Sequence, residues 1–154
     1  MALIDDYFTR HPKTGQKLDF LQDFYMPFVK SYSNAIKSAN PDFLIFFEPV
    51  PNESPPIVTP ETNDDNYVYA PHWYDLKTMF TKSFDGFVTH DVQGLSRGKN
   101  LLESTFFGIN GANKNYKRQI TNIIQGCLEN VGNRPIVIGE CIFNLFRWCT
   151  NGYQ

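Results

Sequence analysis

Three short apolar runs constrain this chain more than any other feature. They are "FLIFF" at 43–47, "YVYA" at 67–70 and "PIVI" at 135–138. Unbroken runs of this length suit strands buried on both faces, as in a parallel sheet. Between them the pattern changes. Leu21, Phe24, Tyr25, Phe28, Tyr32, Ala35, Ile36 and Ala39 recur at helical spacing and define one apolar face. Pro27 lies inside that pattern, so the helix starts near it or kinks there. Asn40 and Pro41 end the helix. Leu76, Met79 and Phe80 mark a short helix after the second run. Tyr116, Ile120, Ile123, Ile124, Cys127, Leu128 and Val131 mark a long one before the third, with Gly132 as its C-cap. Residues 49–66 hold five prolines and read as a long loop. Residues 91–115, rich in Gly and Asn, read as irregular. Helices alternating with buried strands predict an α/β fold with a parallel sheet.

Polar chemistry follows each run. Glu48 comes after the first, His72 and Tyr74 after the second, and Glu140 after the third. In α/β folds, and above all in (β/α)8 barrels, the active site gathers at the C-terminal ends of the strands.

Composition narrows the chemistry. The 154 residues suit one ordinary domain, and 42% are hydrophobic, enough for a core. Aromatic residues make up 16%, and most are expected to fill that core. The net charge is −2 with no basic run, which gives no footprint for nucleic acid. Cys127, Cys141 and Cys149 form no C-x-x-C pair. They read as reduced thiols of a cytoplasmic protein. The acidic start lacks the pattern of a signal peptide, and no stretch is long and apolar enough to span a bilayer. His11, His72 and His90 share no metal spacing. "GINGANKN" fits neither phosphate-binding glycine motif, and no G-x-S-x-G elbow is present.

Carboxylates at strand ends with His and Tyr between them suit glycoside hydrolysis. A retaining glycosidase needs one carboxylate as nucleophile and one carboxylic acid as proton donor. A tyrosine hydroxyl donating to the nucleophile keeps it ionised. His72 can join that network or bind a sugar hydroxyl, and Trp73 can stack on a sugar ring.

The segments "YVYAPHWYDL", "DVQGLSRG", "FFGINGANKNYKRQI" and "PIVIGEC" resemble glycoside hydrolase family 5. The similar branch is the endoglycoceramidase-like one, which includes fungal glucosylceramidases and steryl β-glucosidases. "FFEPVPNESPP" resembles the segment after that branch's fifth barrel strand. The resemblance implies the C-terminal portion of a (β/α)8 barrel, about strands five to seven. It places this incomplete barrel domain at 1–141 and leaves 142–154 as a divergent tail. It implies Glu140 as nucleophile, Tyr74 as the residue that orients it, and His72 in the same network. Glu48, as a fifth-strand residue, and Trp73 would line the substrate site. The implied reaction is retaining hydrolysis of a β-glycosidic bond, with no metal or organic cofactor. The implied substrate is a glycolipid such as glucosylceramide or a steryl glucoside, met by peripheral contact with a membrane.

Two departures shape the expectations. The family's Asn-Glu-Pro proton-donor motif does not occur upstream of residue 43; Glu48 in "FEP" and Glu53 are the nearest substitutes. After Cys141, "IFNLFRWCTNGYQ" leaves the family pattern. Three strands cannot close an eight-stranded barrel. The chain is therefore expected to leave strand edges and apolar faces uncovered, and to hydrolyse glycolipids weakly or not at all. The alternatives are a non-catalytic sugar- or glycolipid-binding remnant and a glucosidase acting on plain β-glucan.

Overall fold

The computed structural model describes residues 9–84 and 86–142. The expected divergent tail beyond Ile142, with Cys149, lies outside the described residues. The chain divides into two compact units.

The first unit comprises residues 1–45 and 56–67. Its main element is helix α1, Met26–Lys37, entered through wide π-type turns at Phe20–Tyr25. The Asp19 side chain accepts from the Leu21 and Gln22 amides and starts this segment. Pro27 falls in the first turn of α1, directly after those π-type turns, so the chain is already helical when it reaches the proline. The buried face differs from the expected one. Met26, Val29 and Ser33 are buried, whereas Phe24, Phe28 and Tyr32 are half or more exposed. Periodicity located the helix, but two apolar stripes competed for the core.

Ser33 meets the buried Asp64. The Asp64 carboxylate accepts from Ser33 Oγ at 2.8 Å and Lys37 Nζ at 2.7 Å, with Lys30 Nζ at 3.7 Å. Burial alone would raise its pKa, but hydrogen bonds from Lys37, the Asn66 amide and Ser33 outweigh that and hold it at about 2. The Asn66 side chain donates to the Pro41 and Phe43 carbonyls and fixes the entry to the first strand.

The second unit comprises residues 46–55 and 68–154. Three stretches of parallel backbone hold the candidate residues. Strand β1 is Ile45–Phe47, and β2 is Tyr67–Tyr69. They are hydrogen-bonded neighbours. Ile45 N donates to Asn66 O and Ala70 N to Phe47 O, so both strands advance in the same sense. After Ala70 and Pro71 the chain continues as β3, His72–Tyr74. His72 thus lies within a strand rather than just past its end. On the other side, Tyr69 N donates to Pro135 O and Val137 N to Tyr69 O. Tyr69 and Ile136 form a parallel bridge. Last comes β6, Glu140–Ile142, parallel to β3.

The register between these last two stretches slips. Tyr69 faces Ile136, but three residues later His72 faces Glu140, four residues further on. The third stretch therefore carries one extra residue, a bulge. Side chains alternate along a strand, so a slip of one residue exchanges the two faces. Without the bulge, Gly139 would face His72 and Glu140 would point to the opposite side. The bulge brings the Glu140 carboxylate to the face that carries His72.

Segment 91–115, expected to be irregular, is ordered. Strand β4, Val88–His90, pairs antiparallel with β5, Thr105–Phe107, and the short helix α3, Val92–Ser96, lies between them. The expected short helix after the second run is α2, Leu76–Thr81. The long helix α4, Gly108–Gly126, starts eight residues before the Tyr116 of the apolar pattern. It ends through π-type turns at Cys127–Val131, and the Gly132 amide closes on Cys127 O at φ +94°, as a C-cap glycine should.

Beneath α4 lies a polar core. Asn115 and Gln119 are buried. Asn115 donates to Thr89 Oγ1, and Gln119 donates to Asn115 Oδ1 and the His90 carbonyl. Asp91 is fully buried, caps α3 through the Gly94 amide and meets Arg118. The expectation that aromatics mostly fill the core needs correcting. Phe47, Tyr67, Tyr69 and Trp73 are buried, but Phe20, Phe43, Phe46, Phe80, Phe87 and Phe107 are exposed. No helix among the described residues is long and apolar enough to cross a membrane.

Candidate active site

Four of the five expected site residues converge. Glu48 follows β1, His72 and Tyr74 stand on β3 with Trp73 between them, and Glu140 opens β6. His72 is the hub. Its Nδ1 lies 2.8 Å from Glu48 Oε1, 2.8 Å from Tyr74 Oη and 3.9 Å from Glu140 Oε2. The imidazole is set edge-on to the Tyr74 ring, with centroids 5.9 Å apart. Partial burial raises the Tyr74 pKa first, and the nearby Glu140 and Glu48 carboxylates raise it further. The phenol therefore keeps its proton and acts as a donor.

The carboxylates are open to water while the imidazole is not. The side chains of Glu48 and Glu140 are 43% and 56% exposed, and that of His72 is 19% exposed. Two acceptor groups thus stand at the surface over a nearly enclosed ring. The arrangement suits a carboxylate that acts on a substrate from solvent and is oriented from behind.

Gly139 makes room for the ring. A Cβ there would sit 3.2 Å from both Cδ2 and Nε2 of His72 and 3.4 Å from the Ala70 carbonyl oxygen. Residue 139 must therefore be small for the imidazole to lie where it does. The bulge and this glycine act together: one turns Glu140 to the site, the other seats His72 beside it.

Trp73 corrects the expectation. Strand alternation turns it away from His72 and Tyr74, and it is 5% exposed. Its indole N–H donates to Gln119 Oε1 at 3.0 Å, and its ring packs edge-on against Tyr116. Trp73 anchors β3 to α4 and presents no face to a sugar. Just past β3, Asp75 caps α2 through the Lys77 and Thr78 amides and accepts from the Tyr116 hydroxyl. Burial first, and then the bond to Asp75, push the Tyr116 pKa far up. The strand carrying His72 and Tyr74 is thus pinned at its middle and at its end.

The remaining candidates stand apart in role. Glu53 is exposed in the proline-rich loop. The His11 ring accepts from the Lys13 and Thr14 amides in a turn, and His90 Nδ1 meets Thr105 Oγ1. Cys127 is buried, and that burial raises its thiol pKa; Cys141 is exposed. Among the described residues no group of three or more His, Cys, Asp or Glu could hold a metal ion. Sequence reasoning missed Gln119 and Gly139. The first was hidden among the polar positions of a helix. The second was legible only as the "GE" of "PIVIGEC", without its reason.

Comparison with known proteins gives this geometry a context. No protein-family profile matches the chain. A glucosylceramidase of Rhizopus delemar is 46% identical over 134 residues, covering 87% of this chain and 20% of its own length. A glucosylceramidase of Cryptococcus neoformans var. grubii is 41% identical over 144 residues, covering 91% of this chain and 19% of its own. Among solved structures, sterylglucosidase 1 of Cryptococcus neoformans aligns with a TM-score of 0.82 at 23% identity. That alignment covers 92% of this chain and 20% of the other, and it shows a shared fold. The chain spans about one-fifth of the length of the curated relatives it matches.

Proposed function

We propose that this chain forms strands five to seven of a (β/α)8 glycoside hydrolase barrel that cleaves the β-glycosidic bond of glycolipids. Three parallel stretches with their polar residues at the C-terminal ends support the barrel reading. The names of the fungal relatives support glucosylceramide or a steryl glucoside as substrate. The observation that carries the catalytic reading is the meeting of Tyr74 and Glu140 at the His72 imidazole, 2.8 and 3.9 Å from its Nδ1.

In this reading Glu140 attacks the anomeric carbon and forms a glycosyl-enzyme, with retention after hydrolysis. The Tyr74 hydroxyl holds the carboxylate ionised and turned toward that carbon. The leaving aglycone oxygen needs a proton, and the Asn-Glu-Pro motif that supplies it in the family is not in this sequence. The lipid part of the substrate would meet the protein at a membrane surface.

An activated aryl β-glucoside tests the reading, because its phenolate leaves without a proton. The first step should run and the second should stall, giving a burst of one phenolate per chain. Glu140→Gln should abolish the burst. A burst that survives this substitution, or none from the native chain, would refute the proposal.

A further inference from the structure

We infer that the exposed aromatic pair Phe87–Phe107, with Phe80 and Ile109, is the surface by which this chain enters an anionic lipid membrane, and that Lys82 and Lys114 meet the headgroups there. Its purpose rests on the glycolipid reading above: the patch would bring the carboxylates of the site to a substrate held in a bilayer.

The packing of α4 fixes where the pair stands. Tyr116 meets Asp75, just past β3, while Gln119, one turn further along α4, meets Trp73 in the middle of β3. Helix α4 therefore runs antiparallel to β3, and its first residues stand at the C-terminal end of that strand. Gly108 precedes Tyr116 by eight residues, about 12 Å at 1.5 Å per residue. Phe107, directly before α4, is thus carried out at the end of the fold where Glu48, Tyr74 and Glu140 gather. Phe87 lies against it, with ring centroids 6.2 Å apart, and the Phe87 carbonyl accepts from the Gly108 amide. Lys77 Nζ donates to the Val88 carbonyl and ties α2 to the same end of β4, one turn before Phe80. Phe80, Phe87, Phe107 and Ile109 are between 58% and 76% exposed. Large apolar side chains gathered at one end of a fold mark a surface that meets something other than water.

Charge says what meets it. Residues 76–118 hold seven Lys and Arg against three Asp and Glu, whereas the rest of the chain holds seven against thirteen. The stretch that carries the patch is thus +4 and the remainder −6. Of its three acids, Asp91 is fully buried against Arg118, while Lys82 and Lys114 are exposed. Apolar side chains flanked by cations suit a bilayer with anionic headgroups. A second copy suits it less, because a two-fold contact would set the same cations against each other.

Leu102 supplies the internal control. It is 88% exposed, more than any residue of the patch, but it lies beyond the opposite, His90–Thr105 end of the β4–β5 pair and beside the exposed Glu103. Exposure alone would send it into lipid; the geometry keeps it out.

The test uses the full chain with vesicles of phosphatidylcholine, alone or with about a third phosphatidylserine. The chain should sediment with the anionic vesicles. Phe107→Trp should be quenched by lipids brominated on their acyl chains, beyond the quenching of the native tryptophans, and Leu102→Trp should not. Phe87→Ser with Phe107→Ser should weaken vesicle binding at least about tenfold. Lys82→Glu with Lys114→Glu should weaken it about as much on anionic vesicles and change it less than about threefold on neutral ones. No vesicle binding by the native chain, equal quenching at 102 and 107, or serine variants that bind as the native chain does would each overturn the inference. So would a dimer that the serine substitutions dissociate in the absence of vesicle binding, since a second copy would then be the occupant. None of these readouts needs turnover, so vesicle binding with no labelling of Glu140 would sink the glycosidase reading and leave the membrane surface standing.

Discussion

Replacing Gln119 with leucine should destabilise the second unit by about 2–4 kcal/mol. The side chain is a buried hub: it accepts from Trp73 Nε1 at 3.0 Å and donates to Asn115 Oδ1 at 2.9 Å. Leucine has nearly the same bulk, so no large cavity opens. It removes the partner of three groups, the indole N–H, the Asn115 side-chain oxygen and the His90 carbonyl. Each orphaned buried group costs about 1–3 kcal/mol, and the gain from burying extra apolar surface offsets part of the sum. Urea unfolding followed by tryptophan fluorescence measures the change. With a slope of about 1.5 kcal/mol per molar, the midpoint should fall by about 2 M at unchanged slope. Gln119→Met should behave alike. A change within about 0.5 kcal/mol would refute the reasoning, because it would mean that the polar core contributes no more than an exposed position. The loss would also reach the site, since Trp73 stands between His72 and Tyr74 on β3.

Two further outcomes follow from the geometry. Gly139→Ala adds a methyl 3.2 Å from the His72 ring, closer than an unstrained contact. Stability should drop by about 1–2 kcal/mol, while the burst rate should fall at least about tenfold as the ring is pushed off Glu48 and Tyr74; thermal melts and burst kinetics check the split. Asp64 has a pKa of about 2 when folded, against an ordinary 3.8. Its stabilising effect is therefore complete above pH 3.8 and is lost as pH falls through 2. Asp64→Asn should remove about 2 kcal/mol at neutral pH and flatten the acid limb of the stability curve, read by urea titrations between pH 2 and 7.

The parts of the fold set by long-range burial were legible in the sequence. The run at 67–70 is buried at every residue, as an unbroken apolar run should be, whereas in the run at 43–47 only Ile45–Phe47 form a strand and Phe43, Leu44 and Phe46 stay exposed; Glu48, His72, Tyr74 and Glu140 gather through their shared position at strand ends. Other parts were hidden for physical reasons. Helix α4 begins among Gly and Asn residues that have low helix propensity, and Asn115 is satisfied there by buried hydrogen bonds rather than by water. The face of α1 was misread because Phe28 and Tyr32 stack on each other outside the core. Trp73 has the composition of a sugar platform, but its place in the alternation puts it inside. The bulge before Glu140 left no mark except a glycine, because an extra residue in a strand is visible only against its partner's register.

The central claim is that Glu140 is the nucleophile of a retaining β-glycosidase. The most direct test is to incubate the protein with an activated 2-fluoro-β-glucoside, which forms a glycosyl-enzyme that hydrolyses slowly, and to map the label by peptide mass spectrometry. The account predicts one added 2-fluoroglucosyl group, on Glu140. Labelling of Glu48 or any other residue, or no labelling at all, would contradict it.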